Sequence, residues 1–196
     1  MATQQAIAAV GAALKGLLDE RYPRAEFDSL TIGVVQPRDV EKGLNGDGIG
    51  ILLWRVAING QRRARGPRTD VFGNRFRPSL PIDLSFMIIP YSGDAERQLR
   101  LLGWTMRALE DAGPLTPTQL NHYLSESNVF APDEEVELVC DPLSITDQLT
   151  LWDRMRKHPV GANYLVRMVL LDSTRRIEEN PAVIERDFAV GALVDG

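Results

Sequence analysis

The side chains that most often carry out catalysis are scarce in this chain of 196 residues. Imidazole and thiol groups come only from His122, His158 and Cys140, so no zinc set can be assembled from them. His158 precedes Pro159 at the end of a predicted helix, where an exposed imidazole is ordinary. Nucleophilic catalysis requires a base beside the nucleophile, and the sequence offers no such pair. We therefore predict that both histidines are structural, with no catalytic residue and no metal site.

Two further candidates also fail to predict chemistry. Cys140 ends an apolar alternation over residues 136–140, which favours a buried strand thiol and a reducing compartment. The glycine-rich segment 46–50 leads into a strand and lacks the Gly-Lys-Ser/Thr ending of a phosphate loop, so it would present no helix N-terminus to a phosphate. No cofactor is expected.

Arginine is concentrated in one segment, although the chain has a net charge of −5. Six arginines face one acid, Asp70, between residues 62 and 77: Arg62, Arg63, Arg65, Arg68, Arg75 and Arg77. They could bind a phosphate backbone, but the acidic remainder of the chain would repel that polymer. They could instead dock on an acidic neighbouring subunit, since arginine is favoured at interfaces. An ordinary solvated loop is the third interpretation.

The spacing of apolar residues predicts the elements around these groups. In the first half it predicts a helix over 3–21, strands over 27–35 and 51–58, and a long loop over 42–50 between the strands. Glycine and proline recur through residues 59–79, so this arginine-rich segment has little means of building a core. We expect it to be an extended loop.

The second half contains the clearest strand and the clearest helix. A strand is predicted over 80–91, followed by a helix capped by Asp94 and ended by Gly113, with an apolar face of Ala95, Leu99, Leu102, Met106 and Leu109. Weaker patterns predict a short helix over 116–124, a strand over 136–140, a helix opened by Ser144, and a strand over 164–171 that is covered on both faces.

These elements predict an α+β fold with a single mixed sheet of about five strands and helices packed against it. We expect one domain over residues 1–172 and a C-terminal extended arm over 173–196. The N-terminus shows no leader pattern, and no stretch approaches the roughly 18 apolar residues that a membrane span requires. The expected location is the cytoplasm, unless a larger assembly carries the protein out.

Several local strings, in this order, resemble one known family. They are ILLWRVAIN at 51–59, LPIDLSFMIIPY at 80–91, LLGWTMRAL at 101–109, DPLS at 141–144, LW at 151–152 and YLVRMVLL at 164–171. The order and spacing resemble the tail-terminator, or cap, family of extracellular contractile injection systems, across roughly residues 5–172. The arginine-rich segment resembles the variable insertion of that family, and the chain after Asp172 has no match in it.

The resemblance implies a non-enzymatic structural subunit. Such a subunit forms a homohexameric ring, sits on the last layer of the inner tube and sheath, and stops their growth. Its partners would be other copies of itself and the sheath and inner-tube proteins of a phage-tail-like particle that can be released from the cell. Neither a membrane nor nucleic acid is expected as a partner, although a nucleic-acid-associated ring module that uses the arginines is the alternative.

Two segments are the predicted contact sites. The six arginines between residues 62 and 77 would contact a neighbouring subunit or the tube. The tail would add a strand to the open edge of a sheath subunit through its alternating apolar residues Ile184, Phe188, Val190, Leu193 and Val194.

Overall fold

The computed structural model describes residues 4–42, 46–62, 66–70, 72–124, 128–155 and 159–177. In chain order the elements are α1 (Ala6–Arg21), β1 (Thr31–Val35), α2 (Pro37–Lys42), β2 (Gly48–Ile58), a 3-10 turn (Gly60–Arg62), β3 (Arg68–Thr69), β4 (Arg75–Phe76), β5 (Leu80–Tyr91), α3 (Ala95–Ala112), α4 (Pro117–His122), β6 (Glu137–Cys140), α5 (Ile145–Met155) and β7 (Ala162–Leu171).

Five strands form one mixed sheet in the order β1-β2-β5-β7-β6. Strand β1 runs parallel to β2, and the other neighbouring pairs are antiparallel. With helices packed against this sheet, the predicted α+β class is confirmed. Strands β3 and β4 form a separate small hairpin.

Alternation along β5 divides the core between the two faces of the sheet. Leu84, Phe86 and Ile88 join the larger cluster, to which α1, α3 and α4 contribute. Met87 and Ile89 join a smaller cluster, to which α2 and α5 contribute. Each apolar side chain buried in this way stabilises the fold by about 1.5–3 kcal/mol, so helices are held on both faces.

Two bulges shape the sheet beside the arginine-rich segment. The register of β2 against β5 shifts at Trp54, whose Nε1 donates to Asn163 Oδ1 at 2.6 Å. The register of β5 against β7 shifts at Asp83, opposite Met168, which has a positive φ of 67°. The Met168 N–H donates to Asp83 Oδ1 at 3.0 Å, so a carboxylate fixes the second bulge.

The predicted helix caps are confirmed. Asp94 accepts a hydrogen bond from the backbone N–H of Arg97 at 2.7 Å, and Ser144 Oγ accepts one from the N–H of Asp147 at 3.1 Å. Each bond satisfies one of the donors that a helix leaves unpaired at its N-terminus. In α4, Thr116 and Gln119 form a full capping box.

The predicted apolar face of α3 is only partly correct. Leu109 is buried as predicted, but Leu99 is 60% exposed and Met106 is 36% exposed. The other buried residues are Leu101, Thr105 and Ala108. At 3.6 residues per turn, the buried face is rotated by roughly a quarter of a turn from the predicted one. This face packs against α1 and β5.

Three smaller predictions are also wrong. The first strand begins at Thr31, since Phe27 follows a turn in which its N–H donates to Pro23 O at 3.0 Å. Cys140 is exposed because β6 is an edge strand. Strand β7 is only partly covered on its second face, where Asn163 is buried but Leu165 is half-buried. In the described part of the chain, no helix is long and apolar enough to cross a membrane.

Candidate functional site

The groups that could carry chemistry are dispersed. Across the residues that the structure describes, no three His, Cys, Asp or Glu side chains group in a way that could hold a metal ion. His122 is exposed and lies 3.9 Å from a carboxylate oxygen of Glu20, and His158 lies outside the described residues. Partial burial, with Glu110 and Asp141 nearby, raises the pKa of the Cys140 thiol, which disfavours the nucleophilic thiolate.

The arginine-rich segment 59–79, called the arginine arm below, is organised around a tight turn. Asp70 Oδ1 accepts hydrogen bonds from the N–H groups of Phe72 and Asn74 at 2.9 and 2.8 Å, and Oδ2 accepts one from Asn74 Nδ2 at 2.9 Å. The pKa of Asp70 is lowered, and the hydrogen bond from the Asn74 side chain makes the largest contribution. Gly73 supplies the positive φ of 83° that the turn requires. The turn leaves the Phe72 ring 86% exposed.

The arginine arm continues the central sheet. Leu80 pairs with Leu171 at the end of the β5–β7 ladder, and pairing resumes beyond it, where the Arg77 N–H donates to Arg175 O at 3.0 Å. The Ile177 N–H then donates to Arg75 O at 2.8 Å. Strand β3, strand β4 and residues 175–177 therefore form a narrow three-stranded ribbon. The segment 59–79, predicted to be an extended loop, thus contains regular structure.

Asp172 anchors the base of this ribbon. Its Oδ1 accepts a hydrogen bond from Ser79 Oγ at 2.5 Å, and its Oδ2 lies 3.6 Å from Arg68 Nε. The Arg68 guanidinium also lies over the Phe76 ring, 4.6 Å from its centroid. Arg68 is thus committed to contacts within the chain, and a cation over an aromatic face is itself stabilising.

The other predicted arginines fall into two groups. Arg75 and Arg77 are exposed on the ribbon. The backbone of Arg62 lies in the 3-10 turn, while Arg63 and Arg65 lie outside the described residues. The predicted tail residues Ile184, Phe188, Val190, Leu193 and Val194 also lie outside them. The described chain ends at Ile177, beside Arg75 on the ribbon.

A groove of about 750 Å³ lies between the arginine arm and the segment 130–136. Its floor is apolar, and its walls carry carboxylates. We call it the acidic groove. The apolar residues of the floor are Phe130, Val136, Met168 and Leu170, and the carboxylates belong to Asp70, Asp133, Glu134, Glu135 and Asp172. Among the described residues that line it, Arg68 is the only cation.

Glu134 is the least solvated carboxylate of the outer wall. Its Oε2 accepts a hydrogen bond from the Ala131 N–H at 2.6 Å, while partial burial raises its pKa. Within the described part of the chain, no ion pair reaches Asp133, Glu134 or Glu135. Adjacent acidic residues such as Glu134 and Glu135 usually lie on an ordinary solvated surface. The signal that sets this pair apart is its position between the buried residues Phe130 and Val136.

Comparison with protein families gives one match over most of the chain. The model of the Pvc16 N-terminal domain matches residues 9–185. None of the curated proteins matches the chain.

The solved structures that share its fold include two terminators. One is the sheath/tube terminator, in the extended state, of the extracellular contractile injection system PVC, with a TM-score of 0.59 and 14% identity. The other is the tube-terminating cap of the anti-feeding prophage, with a TM-score of 0.58 and 15% identity. The alignments cover 94% and 92% of this chain, but the chain spans only 65% and 60% of those two proteins.

Proposed function

This chain belongs to the Pvc16 N-terminal domain family, and on that premise we propose that it is a cap subunit of a contractile injection system. Six copies form a ring on the distal end of the inner tube and sheath, and the ring ends the polymerisation of both. The role is structural and includes no catalytic step.

The observation that carries the proposal is the family match over residues 9–185, joined to a fold likeness that covers more than nine-tenths of the chain. The two structures described above are both terminators, one of sheath and tube and one of tube. The part of the fold that both terminators share with this chain is the best candidate for the terminating role. That part is the α+β sheet domain described above.

The distribution of charge suits a ring. Subunits of a closed ring meet head to tail, so each needs two different and complementary surfaces. A basic ribbon and an acidic groove lie on the same subunit, and charge complementarity fixes the register between neighbours. The tube and sheath proteins are the other proposed partners, and assembly takes place in the cytoplasm before the particle is released.

Particle length tests the terminating role. The tube and sheath proteins are expressed with and without this protein, and the particles are imaged by electron microscopy. With the protein present, we expect a narrow length distribution and extra density at one end of each particle. Without it, tubes should be longer and variable. Identical length distributions in the two preparations would contradict the proposal.

The ring is tested separately by native mass spectrometry of the purified full chain, alone and with the tube and sheath proteins. A species of six copies is expected in at least one of these preparations. A protein that stays monomeric under all of them would count against the hexameric cap. Salt-sensitive DNA binding by the arginine arm would favour the nucleic-acid-associated module instead.

A further inference from the structure

We propose that the acidic groove of one subunit receives the arginine arm of a second copy of this chain, and that this contact is the joint between neighbours in the ring. This inference rests on the proposed function, in which the subunits form a ring. It identifies the two surfaces through which neighbouring subunits would meet.

The outer wall of the acidic groove favours a cationic occupant. Three consecutive carboxylates, Asp133, Glu134 and Glu135, form its outer wall, and no ion pair reaches them among the described residues. Arg68 faces them across the groove, but its Nε is already 3.6 Å from Asp172 Oδ2. A guanidinium brought to this wall would form charge-assisted hydrogen bonds, which are about twice as strong as neutral ones.

The arginine arm matches the groove in charge. Residues 62–77 carry six arginines and one aspartate, a net charge of +5, which leaves −10 on the rest of the chain. Of these arginines, Arg75 and Arg77 are exposed on the described ribbon. Arginine is among the residue types enriched where proteins meet.

The arm that enters belongs to another copy, because the arm of the same chain is already used as a wall. Its Arg68, Thr69, Asp70 and Phe72 line the groove of their own chain. Arg75 and Arg77 do not line it, although both are exposed. The ribbon thus has one side turned to its own groove and another that carries exposed arginines. Each subunit can then use its arm and its groove at once, as a head-to-tail ring requires.

The C-terminal tail of the chain is the less suitable occupant on grounds of charge. Residues 178–196 contain five acids and one arginine. A segment of that composition would be repelled by the outer wall of the acidic groove, since like charges that face each other are destabilising.

A reciprocal charge exchange tests the inference. One variant reverses the groove by Asp133→Arg and Glu135→Arg, and it keeps Glu134, which bonds to Ala131. The other variant reverses the arm by Arg75→Glu and Arg77→Glu. In both, the altered side chains are exposed, so each variant should fold, which circular dichroism checks. The control matched to the groove variant, Asp28→Arg with Glu41→Arg, makes the same charge change at exposed positions away from the groove.

Native mass spectrometry of the full chain gives the readout, in whichever preparation the wild type forms its ring. We expect each reversed variant alone to shift from the ring to monomer, and the control to remain a ring. An equimolar mixture of the two reversed variants should recover the ring with alternating subunits, because each reversed arm then meets an oppositely charged groove.

Either of two results would overturn the inference without contradicting the proposed cap function. In the first, both reversed variants still form rings alone. In the second, each loses the ring but their mixture does not recover it, so that arm and groove are not partners. A wild type that forms no ring in any preparation, and that leaves particle length unchanged, would instead overturn the proposed function.

Discussion

At the scale of single residues, Asp83 connects the sheet to the arginine arm. Its Oδ1 accepts from the Met168 N–H at 3.0 Å, and both of its oxygens accept from Asn59 Nδ2, at 3.2 and 3.0 Å. Met168 holds a positive φ of 67°, which is uncommon for a residue other than glycine. Asn59 is the first residue of the arm. One carboxylate therefore holds both a strained bulge and the point at which the arm leaves β2.

Replacement of Asp83 by alanine should destabilise the fold by about 1–3 kcal/mol, because the partly buried N–H of Met168 would lose its acceptor. Asp83→Asn keeps one acceptor oxygen and should cost less. Urea unfolding measures both values. Asp28→Ala, at an exposed aspartate, is the control and should lie within about 0.5 kcal/mol of the wild type. Equal effects of Asp83→Ala and Asp28→Ala would refute this role.

Glu134 predicts a pH dependence of stability. Burial raises its pKa above the ordinary value of 4.5, so folding favours the protonated form. Its contribution to stability is therefore full below pH 4.5 and is lost as the pH rises through the raised pKa of the folded protein. Glu134→Gln cannot ionise, and its amide oxygen can still accept from Ala131.

At pH 7 we expect Glu134→Gln to be more stable than the wild type by less than about 1 kcal/mol, since solvent screens a half-exposed group. The difference should disappear below pH 4.5. Urea unfolding at several pH values measures it, with Glu135→Gln as the exposed control of equal charge change. A gain that persisted unchanged in acid would show that burial of the charge is not its cause.

At the scale of elements, α3 illustrates how tertiary packing chooses a helix face. Its ends follow from local chemistry, with the Asp94 cap at the start and Gly113, at a positive φ of 64°, at the end. Its face follows from the residues it must pack against, which are α1 and β5. Leu99 and Leu101 are two residues apart, but the first is 60% exposed and the second is fully buried.

These two leucines give a direct test of the face. Leu101→Ala should cost about 2–5 kcal/mol, as for other large-to-small changes in a core. Leu99→Ala should change the free energy of unfolding by no more than about 0.5 kcal/mol. Chemical denaturation of both variants provides the comparison. A larger loss at Leu99 than at Leu101 would restore the face that the sequence predicted.

Sequence reasoning worked where a local rule decides the structure. The bounds of β5 coincide with the predicted strand 80–91, because its alternation is apolar on both faces and both faces are covered. The acidic groove could not be predicted, since its walls come from three segments, near residues 70, 133 and 170, that only the fold brings together. The arginines are evident in the sequence, but the ribbon that carries Arg68, Arg75 and Arg77 could not be predicted, because it is built with residues 175–177, which are distant in sequence.

At the scale of the whole molecule, the described chain ends on the projecting ribbon. Ile177 bonds to Arg75 close to the Asp70 turn. The 19 residues that follow could span at most about 65 Å if fully extended, so they can reach another molecule. Residues 173–177 belong structurally with the arginine arm, and a truncation meant to remove only the tail should begin at residue 178.

A chain truncated after Ile177 should unfold within about 0.5 kcal/mol of the full chain, because the described contacts remain. If the tail binds the sheath as proposed, the truncated protein should no longer sediment with sheath polymers. Truncation after Asp172 is the comparison, and it should also loosen the arm because β4 loses one of its two partners and keeps only β3. Undiminished sedimentation with sheath would contradict the role of the tail.

The continuity of the ribbon with β5 and β7 also has a mechanical consequence. Hydrogen bonds in an antiparallel ladder lie perpendicular to the strands. A pull along the ribbon therefore loads the bonds of the ladder in parallel, whereas a sideways pull would break them one after another. The ladder behind the arm runs the length of the pairing between β5 and β7, which are two of the longest strands in the sheet. Tension applied at the tip of the arm would therefore be shared across the core.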